Sequence, residues 1–337
     1  MERFWNFLEQ VDGSLFYKRF EKDDVRFGEV VEAQRERFSD EFKFVIIGFP
    51  FDEGAVRNRG RAGASSGPTE IRRAFYKLTP TKTFSVCDAE TLIFDAGDIK
   101  SSLGLEEALH ALEDTVDSFL SSKMVPIVLG GSNDMSYADF KGCTRAFGRC
   151  GAINIDSHLD VRDYSKRINS GTPYRMLLDD GALHGEDFVE YAIQEFSNAR
   201  DHLSFVTEMG SHIFSLSDIR LQSNSKAFRD AYHRAMASAT KVYVSFDIDS
   251  VRSSDAPGVS APTPTGLSAE EILECAFAAG SEPKTAMIDI CEMNPRFDID
   301  GHTAKLAAMI AANFLAGVSN RKQKRRVDAK RSPHLHS

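Results

Sequence analysis

Cysteine is scarce and shows no pairing pattern: the five residues, Cys87, Cys143, Cys150, Cys275 and Cys291, are widely spaced and include no Cys-x-x-Cys. That argues against both a disulfide framework and a zinc knuckle, and predicts reduced, mostly buried thiols. Long apolar runs are missing as well. Stretches such as Val125 to Leu129 and Phe44 to Phe49 fall far short of the roughly 20 residues that a membrane span needs. The opening Met1-Glu2-Arg3-Phe4 lacks an apolar core followed by small residues, so no secretory leader is expected and the cytosol is predicted. Positive charge is in deficit, with 41 Lys and Arg against 50 Asp and Glu for a formal charge of −9. Seven of these basic residues are gathered near the C-terminal end, in Arg321, Lys322, Lys324, Arg325, Arg326, Lys330 and Arg331. An acidic body of this kind is a poor general binder of nucleic acid. The phosphate-cradling patterns G-x-G-x-x-G and Gly-Lys-Ser/Thr are absent too, which weakens a nucleotide-binding reading of Leu129-Gly130-Gly131.

What is present is an ordinary globular composition, 42% hydrophobic and 27% charged over 337 residues, enough for a large core. Residues 1–43 carry scattered aromatics and many charges without a long clean period, and read as an extension packed on the body. From residue 44 onward, continuous apolar runs alternate with amphipathic stretches, as expected of strands buried on both faces. Strands are predicted at 44–49, 92–96, 125–129, 151–155, 203–207, 242–246 and 285–290. Helices are predicted near 67–78, 104–122, 133–147, 224–239, 268–280 and 303–317. This order implies an α/β fold, one three-layer α/β/α domain with a mostly parallel central sheet over residues 44–318. The basic stretch 319–337 has too little apolar surface to order itself and is expected to be a solvated tail.

In parallel sheets, the loops after strand C-termini build the site. Three such ends carry polar clusters: Asp156-Ser157-His158-Leu159-Asp160, Asp247-Ile248-Asp249, and Glu292 with Asn294 and Pro295. A single Asp-x-Asp is often only a cap or turn, and a lone histidine more often packs than ligates. Together, at ends of one sheet and with no run of Lys or Arg beside them, these groups would repel one another unless a cation sat among them. Carboxylate oxygens with one imidazole suit Mn²⁺ better than zinc.

The D-x-H-x-D motif at Asp156–Asp160 and the S-x-D-x-D motif at Ser245–Asp249 resemble those of the arginase and agmatinase family of ureohydrolases. Further matches are Gly67-Pro68, Leu129-Gly130-Gly131, Ala256-Pro257-Gly258 and Glu292-x-Asn294-Pro295, spread over about residues 44 to 318. Asp52-Glu53-Gly54, Asn58 with Gly60-Arg61, Asn169 to Arg175, and Asn294 to Gly301 are closest to the branch that splits N-formimidoyl-L-glutamate into L-glutamate and formamide. Arginases and agmatinases usually carry a histidine where this chain has Ser170.

The resemblance implies two Mn²⁺ ions and a metal-bridging hydroxide as nucleophile. The first ion would be held by Asn133, Asp156, Asp160 and Asp247, the second by Asp156, His158, Asp247 and Asp249. Asn133 stands where the family has histidine, so the first ion should be held more weakly. Asp134 would replace it only if the loop slipped by one residue. Glu292 and Asp160 are the implied catalytic residues, Glu292 also holding the amidine nitrogen and Asp160 relaying a proton to the leaving amine. Arg61 and Arg175 are the expected carboxylate binders, with Arg57, Arg59 and Arg162 as weaker choices. The partner is thus a small amidine bearing carboxylates, not nucleic acid or membrane, and a homotrimer or homohexamer is implied. Another ureohydrolase specificity and a metal-poor pseudoenzyme remain as alternatives.

Overall fold

The computed structural model describes residues 4–80 and 92–331, with backbone alone for 322–331. Cys87 therefore lies outside the described residues. Among them is a sheet of nine strands: β1 (Leu8–Glu9), β2 (Phe44–Phe49), β3 (Ile93–Ile99), β4 (Val125–Gly130), β5 (Cys150–Ile155), β6 (Phe188–Ile193), β7 (His212–Ser215), β8 (Lys241–Asp247) and β9 (Thr285–Cys291). Their spatial order is β1-β3-β2-β4-β9-β8-β5-β6-β7. Every pairing is parallel except that of β1 with β3. Six strands predicted from continuous apolar runs form near their expected places. The residues of β2, β5 and β9 are buried throughout, as a sheet covered on both faces requires. The three-layer α/β/α expectation is borne out.

The segment predicted as a strand at 203–207 is instead part of the helix Arg200–Glu208. Its run Leu203-Ser204-Phe205-Val206-Thr207 has β-rich composition, yet only Val206 of the helix is buried, so one stripe packs and the rest meets solvent. The strands that sequence reasoning missed are β6, β7 and the two-residue β1. In β6 a polar residue, Glu190, interrupts Phe-Val-Glu-Tyr-Ala-Ile, although it is fully buried.

Helices cover both faces. Ala269–Ser281 starts on a capping box, with Ser268 Oγ accepting from Glu271 N at 3.2 Å and Glu271 Oε2 accepting from Ser268 N at 2.7 Å. It packs against His302–Arg331, whose start is satisfied by Asp298 accepting from Thr303 N at 2.9 Å and Ala304 N at 3.0 Å. The two helices touch at glycines. A Cβ on Gly280 would lie 2.1 Å from Phe314 O, and one on Gly317 would lie 2.2 Å from Phe277 O, so only glycine permits this approach. The helical backbone continues past the predicted end at 317 to Arg331. Lys, Arg and Ala are good helix formers that prolong a turn already anchored by packing, and Arg321 Nε donates to Gly280 O at 2.6 Å. Among the described residues, no helix is long and apolar enough to cross a membrane.

Candidate metal centre and cleft

Four adjacent central strands, β4, β9, β8 and β5, deliver the polar clusters to one edge. Ile155 pairs with Phe246, and Asp247 pairs with Cys291. The next residue of β5, Asp156, thus comes level with Asp247, one strand spacing of about 4.8 Å away. The same local turn shapes both motifs. Asp156 Oδ1 accepts from His158 N at 2.8 Å, and Asp247 Oδ1 accepts from Asp249 N at 2.9 Å. Each aspartate thereby folds the chain back so that the side chain two residues on comes alongside it.

Two overlapping groups result. Ligand atoms of Asp156, His158 and Asp249 all lie within 4.8 Å of one another, as do those of Asp156, Asp160 and Asp247. Asp156 belongs to both, which is the arrangement a pair of ions sharing a bridging carboxylate would need. His158 Nδ1 is 3.3 Å from Asp156 Oδ1 and 3.4 Å from Asp249 Oδ1. Asp249 Oδ1 is buried without a hydrogen-bond donor. Among the described residues, no lysine or arginine forms an ion pair with these carboxylates; His158 alone does.

The charge imbalance is visible in the titration behaviour. Burial, then the charge of Asp249, pushes Asp156 up to about 6. Burial and neighbouring carboxylates also push Asp160, Asp247 and Glu292 well above the usual range. Burial alone would lower His158, but Asp249 and Asp156 raise it to about 12. Protons gather where positive charge is wanted. The donor set, hard oxygens with one imidazole and a buried carboxylate oxygen left without a donor, fits a divalent cation such as Mn²⁺.

Asn133 and Glu292 close the site from β4 and β9. Glu292 Oε1 accepts from Asn133 N at 2.9 Å, and Asn133 Nδ2 donates to Asp160 Oδ2 at 2.6 Å. Asp134 is turned away, accepting from Ser132 Oγ, and burial pushes it up to about 7. The loop has not slipped, so Asn133 holds the position that the sequence assigns to it. Asp160 and Glu292 adopt left-handed backbone, with φ of 45° and 63°, a strained state that non-glycine residues keep only where surroundings enforce it.

Outside this centre a cleft of about 270 Å³ is lined by His158, Asp160, Asp247, Asp249, Glu292, Asn58, Ser170, Arg59, Arg61 and Arg162, among others. The two expected carboxylate binders sit differently with respect to this cleft. Arg175 is not among the lining residues; it pairs with Asp179 at 2.8 Å and stacks on Phe205 with its guanidinium carbon 3.8 Å from the ring centre. Arg61 does line the cleft, but its guanidinium is committed to Ser260 O at 3.0 Å and Val259 O at 2.6 Å and lies 3.9 Å over Phe297. Arg57 is likewise occupied, by Glu53 and Glu106. Arg59 and Arg162, ranked lower from sequence, are the exposed lining arginines. Gly171 leaves room for Arg162, since a Cβ there would lie 2.6 Å from Arg162 Cδ. Arg162 stands two residues beyond the D-x-H-x-D motif, in the loop that follows β5.

Residues 42–317 match the model of the arginase family, and the chain belongs to that family. Among its curated relatives, the formimidoylglutamase of Lysinibacillus sphaericus (strain C3-41) is 33% identical over 286 residues, covering 83% of this chain and 87% of the relative. The crystal structure of Trypanosoma cruzi formiminoglutamase with Mn²⁺ is 39% identical with a TM-score of 0.82, over 89% of this chain and 100% of that one. The crystal structure of Bacillus subtilis formimidoylglutamase is 25% identical with a TM-score of 0.83, over 94% of this chain and 98% of that one.

Proposed function

We propose that this chain hydrolyses N-formimidoyl-L-glutamate to L-glutamate and formamide with two bound Mn²⁺ ions. The observation that carries the reading is the cluster of buried Asp156, Asp247 and Asp249 with half-buried His158 and Asp160, without a paired Lys or Arg among the described residues, opening on a cleft that also holds Arg59 and Arg162. A metal-loaded relative of the same fold that bears the formiminoglutamase name supports it.

Asp156, His158, Asp247 and Asp249 would hold one ion, and Asn133, Asp156, Asp160 and Asp247 the other. When bound, such ions lower the pKa of a coordinated water towards neutrality and supply the nucleophile at the amidine carbon. The protein's own groups do the rest. Glu292, fixed by the Asn133 N–H, accepts hydrogen bonds from the amidine nitrogen and holds the reacting carbon over the centre. Asp160 carries the proton to the departing amine, so that the leaving group is the neutral amino group of glutamate. Arg162 takes a substrate carboxylate, with Arg59 beside it. This arrangement favours a substrate with two carboxylates over agmatine, which has none, and over arginine, whose single carboxylate sits beside a cationic amino group.

The cytosol remains our assignment, in keeping with four buried, unpaired cysteines. Assembly as a homotrimer or homohexamer is a proposal from the family resemblance, to be read by light scattering. The decisive experiment assays Mn-loaded protein against formimidoylglutamate, arginine and agmatine while counting bound metal. Turnover of formimidoylglutamate alone, with about two Mn²⁺ per chain, is expected. Preference for arginine or agmatine, or a metal count near zero without turnover, would overturn the proposal.

A further inference from the structure

Beneath the carboxylate cluster lies a second buried polar layer that the mechanism above does not use. The helix Met135–Phe147 places Ser136 and Asp139 on one face, three residues apart, against Tyr243 and Ser245 of β8 and Asp289 of β9. All five side chains are sealed from solvent. Asp289 accepts from Tyr243 Oη, accepts from Ser245 Oγ at 2.7 Å, and has its Oδ2 3.3 Å from Ser136 Oγ. Ser136 Oγ lies closer still, at 2.5 Å, to Asn133 Oδ1. Asn133 thus presents its NH₂ to Asp160 and its oxygen to Ser136. An amide NH₂ has no lone pair for a cation, whereas the amide oxygen has two.

We propose that Ser136 is a positioning residue that sets which end of the Asn133 amide faces the carboxylate cluster, its single hydroxyl proton passing between Asn133 Oδ1 and Asp289 Oδ2. A hydroxyl donates one hydrogen bond and accepts two. In the setting described here, Ser136 donates to Asn133 Oδ1 and the NH₂ satisfies Asp160. In the other, Ser136 donates to Asp289 and accepts from Asn133 Nδ2, and the amide oxygen turns to the cluster. Asp289 is suited to take that proton because it remains an acceptor. Burial and the adjacent Asp289 charge hold its neighbour Asp139 protonated, so one negative charge serves the pair. Cys291 Sγ, 3.4 Å from Asn133 Oδ1, is a weak partner and no substitute for the hydroxyl.

The inference rests on Asn133 being a ligand, and the experiment separates the two ideas. Mn²⁺ titrations that resolve both sites, followed by electron paramagnetic resonance of free ion, would compare wild type with Ser136→Ala, Ser136→Thr and Asn133→Ala. Ser136→Ala leaves a buried amide donor without an acceptor in the metal-bound setting. It should weaken one site about tenfold and spare the other. Ser136→Thr, which keeps the hydroxyl, should restore it, and Asn133→Ala should weaken the same site. Unchanged binding by Ser136→Ala, or equal weakening of both sites, would overturn the positioning role. Unchanged binding by Asn133→Ala would instead remove Asn133 as a ligand, and the positioning role with it. Should Ser136→Ala fail to fold, a structure of the Mn-loaded wild type decides: Asn133 Nδ2 facing Ser136 supports the proposal, and Oδ1 still facing it overturns it.

Discussion

Two of the molecule's buried acidic clusters differ in how their charge is balanced. Near the sheet edge, Arg72 is sealed between Asp95 and Asp98 of β3: Nε meets Asp95 Oδ2 at 2.7 Å, Nη1 meets Asp98 Oδ1 at 2.5 Å, and Nη2 donates to Gly97 O at 3.1 Å. Tyr76 adds a further hydrogen bond to Asp95. Every strong donor there has its acceptor within the chain. At the ends of β5, β8 and β9 the same chemistry is left short of positive charge, and one imidazole faces five carboxylates. A balanced cluster holds elements together, whereas an unbalanced one waits for something from outside. The difference separates scaffold from site more sharply than burial does, because both are buried.

The comparison can be broken by substitution. Asp247→Ala should cost about a thousandfold in kcat/KM, the several kcal/mol a metal centre contributes, while leaving the metal-free protein at least as resistant to urea as wild type. A large loss of stability would mean that the cluster is structural. Arg72→Met should do the reverse, lowering unfolding free energy by about 3–5 kcal/mol because two carboxylates lose their partner. Activity per folded molecule should be retained, as measured by urea titration beside the assay. Next in size is the role of Arg162, one of the two exposed arginines that line the cleft. Arg162→Met should raise KM for formimidoylglutamate about 10- to 100-fold with kcat little changed, the value of one charge-assisted hydrogen-bonded pair; a kcat effect alone would place Arg162 elsewhere in the reaction.

Acidity sharpens the contrast further. Asp156 titrates at about 6 in the folded, metal-free protein against a reference of 3.8, so the folded state holds its proton more tightly than the unfolded state. Its contribution is therefore present below about pH 4 and lost as pH rises through about 6. The gap in thermal midpoint between Mn-loaded and metal-free protein should widen from pH 5 to pH 7, and Asp156→Asn should narrow it. A gap independent of pH would sink this account. The smallest effect is expected at Arg175, whose half-exposed pair with Asp179 is worth under about 1 kcal/mol; Arg175→Ala should leave KM within about twofold.

Much of this contrast was legible in the sequence, and what was not has a common cause. The two clusters of candidate ligands announce themselves because each opens directly after a continuous apolar run, Asp156 after Ala152 to Ile155 and Asp247 after Val242 to Phe246. Local pattern and global position agree there. β6 was hidden because Glu190, which burial keeps protonated, looks polar in a string of letters and behaves as a neutral side chain in the core. The roles of the arginines were illegible for another reason. Arg61 spends its guanidinium on carbonyls 198 and 199 residues away, and Arg175 turns to a helix that reads as a strand. No short window records such contacts, so type and spacing alone do not choose among the five arginines.

The strand order also dictates when the site comes into being. β8 and β9 are synthesised late, yet they lie at the middle of the sheet, between β4 and β5. While a ribosome is still extending the polypeptide, Asp156 and His158 have no Asp247 or Glu292 opposite them. The earlier strands must leave, or open, a central slot into which the final pair is threaded. Capturing a cation is on this account a closing act of folding rather than its seed, and a chain cut short before Lys241 would carry half a ligand set with nothing to grip.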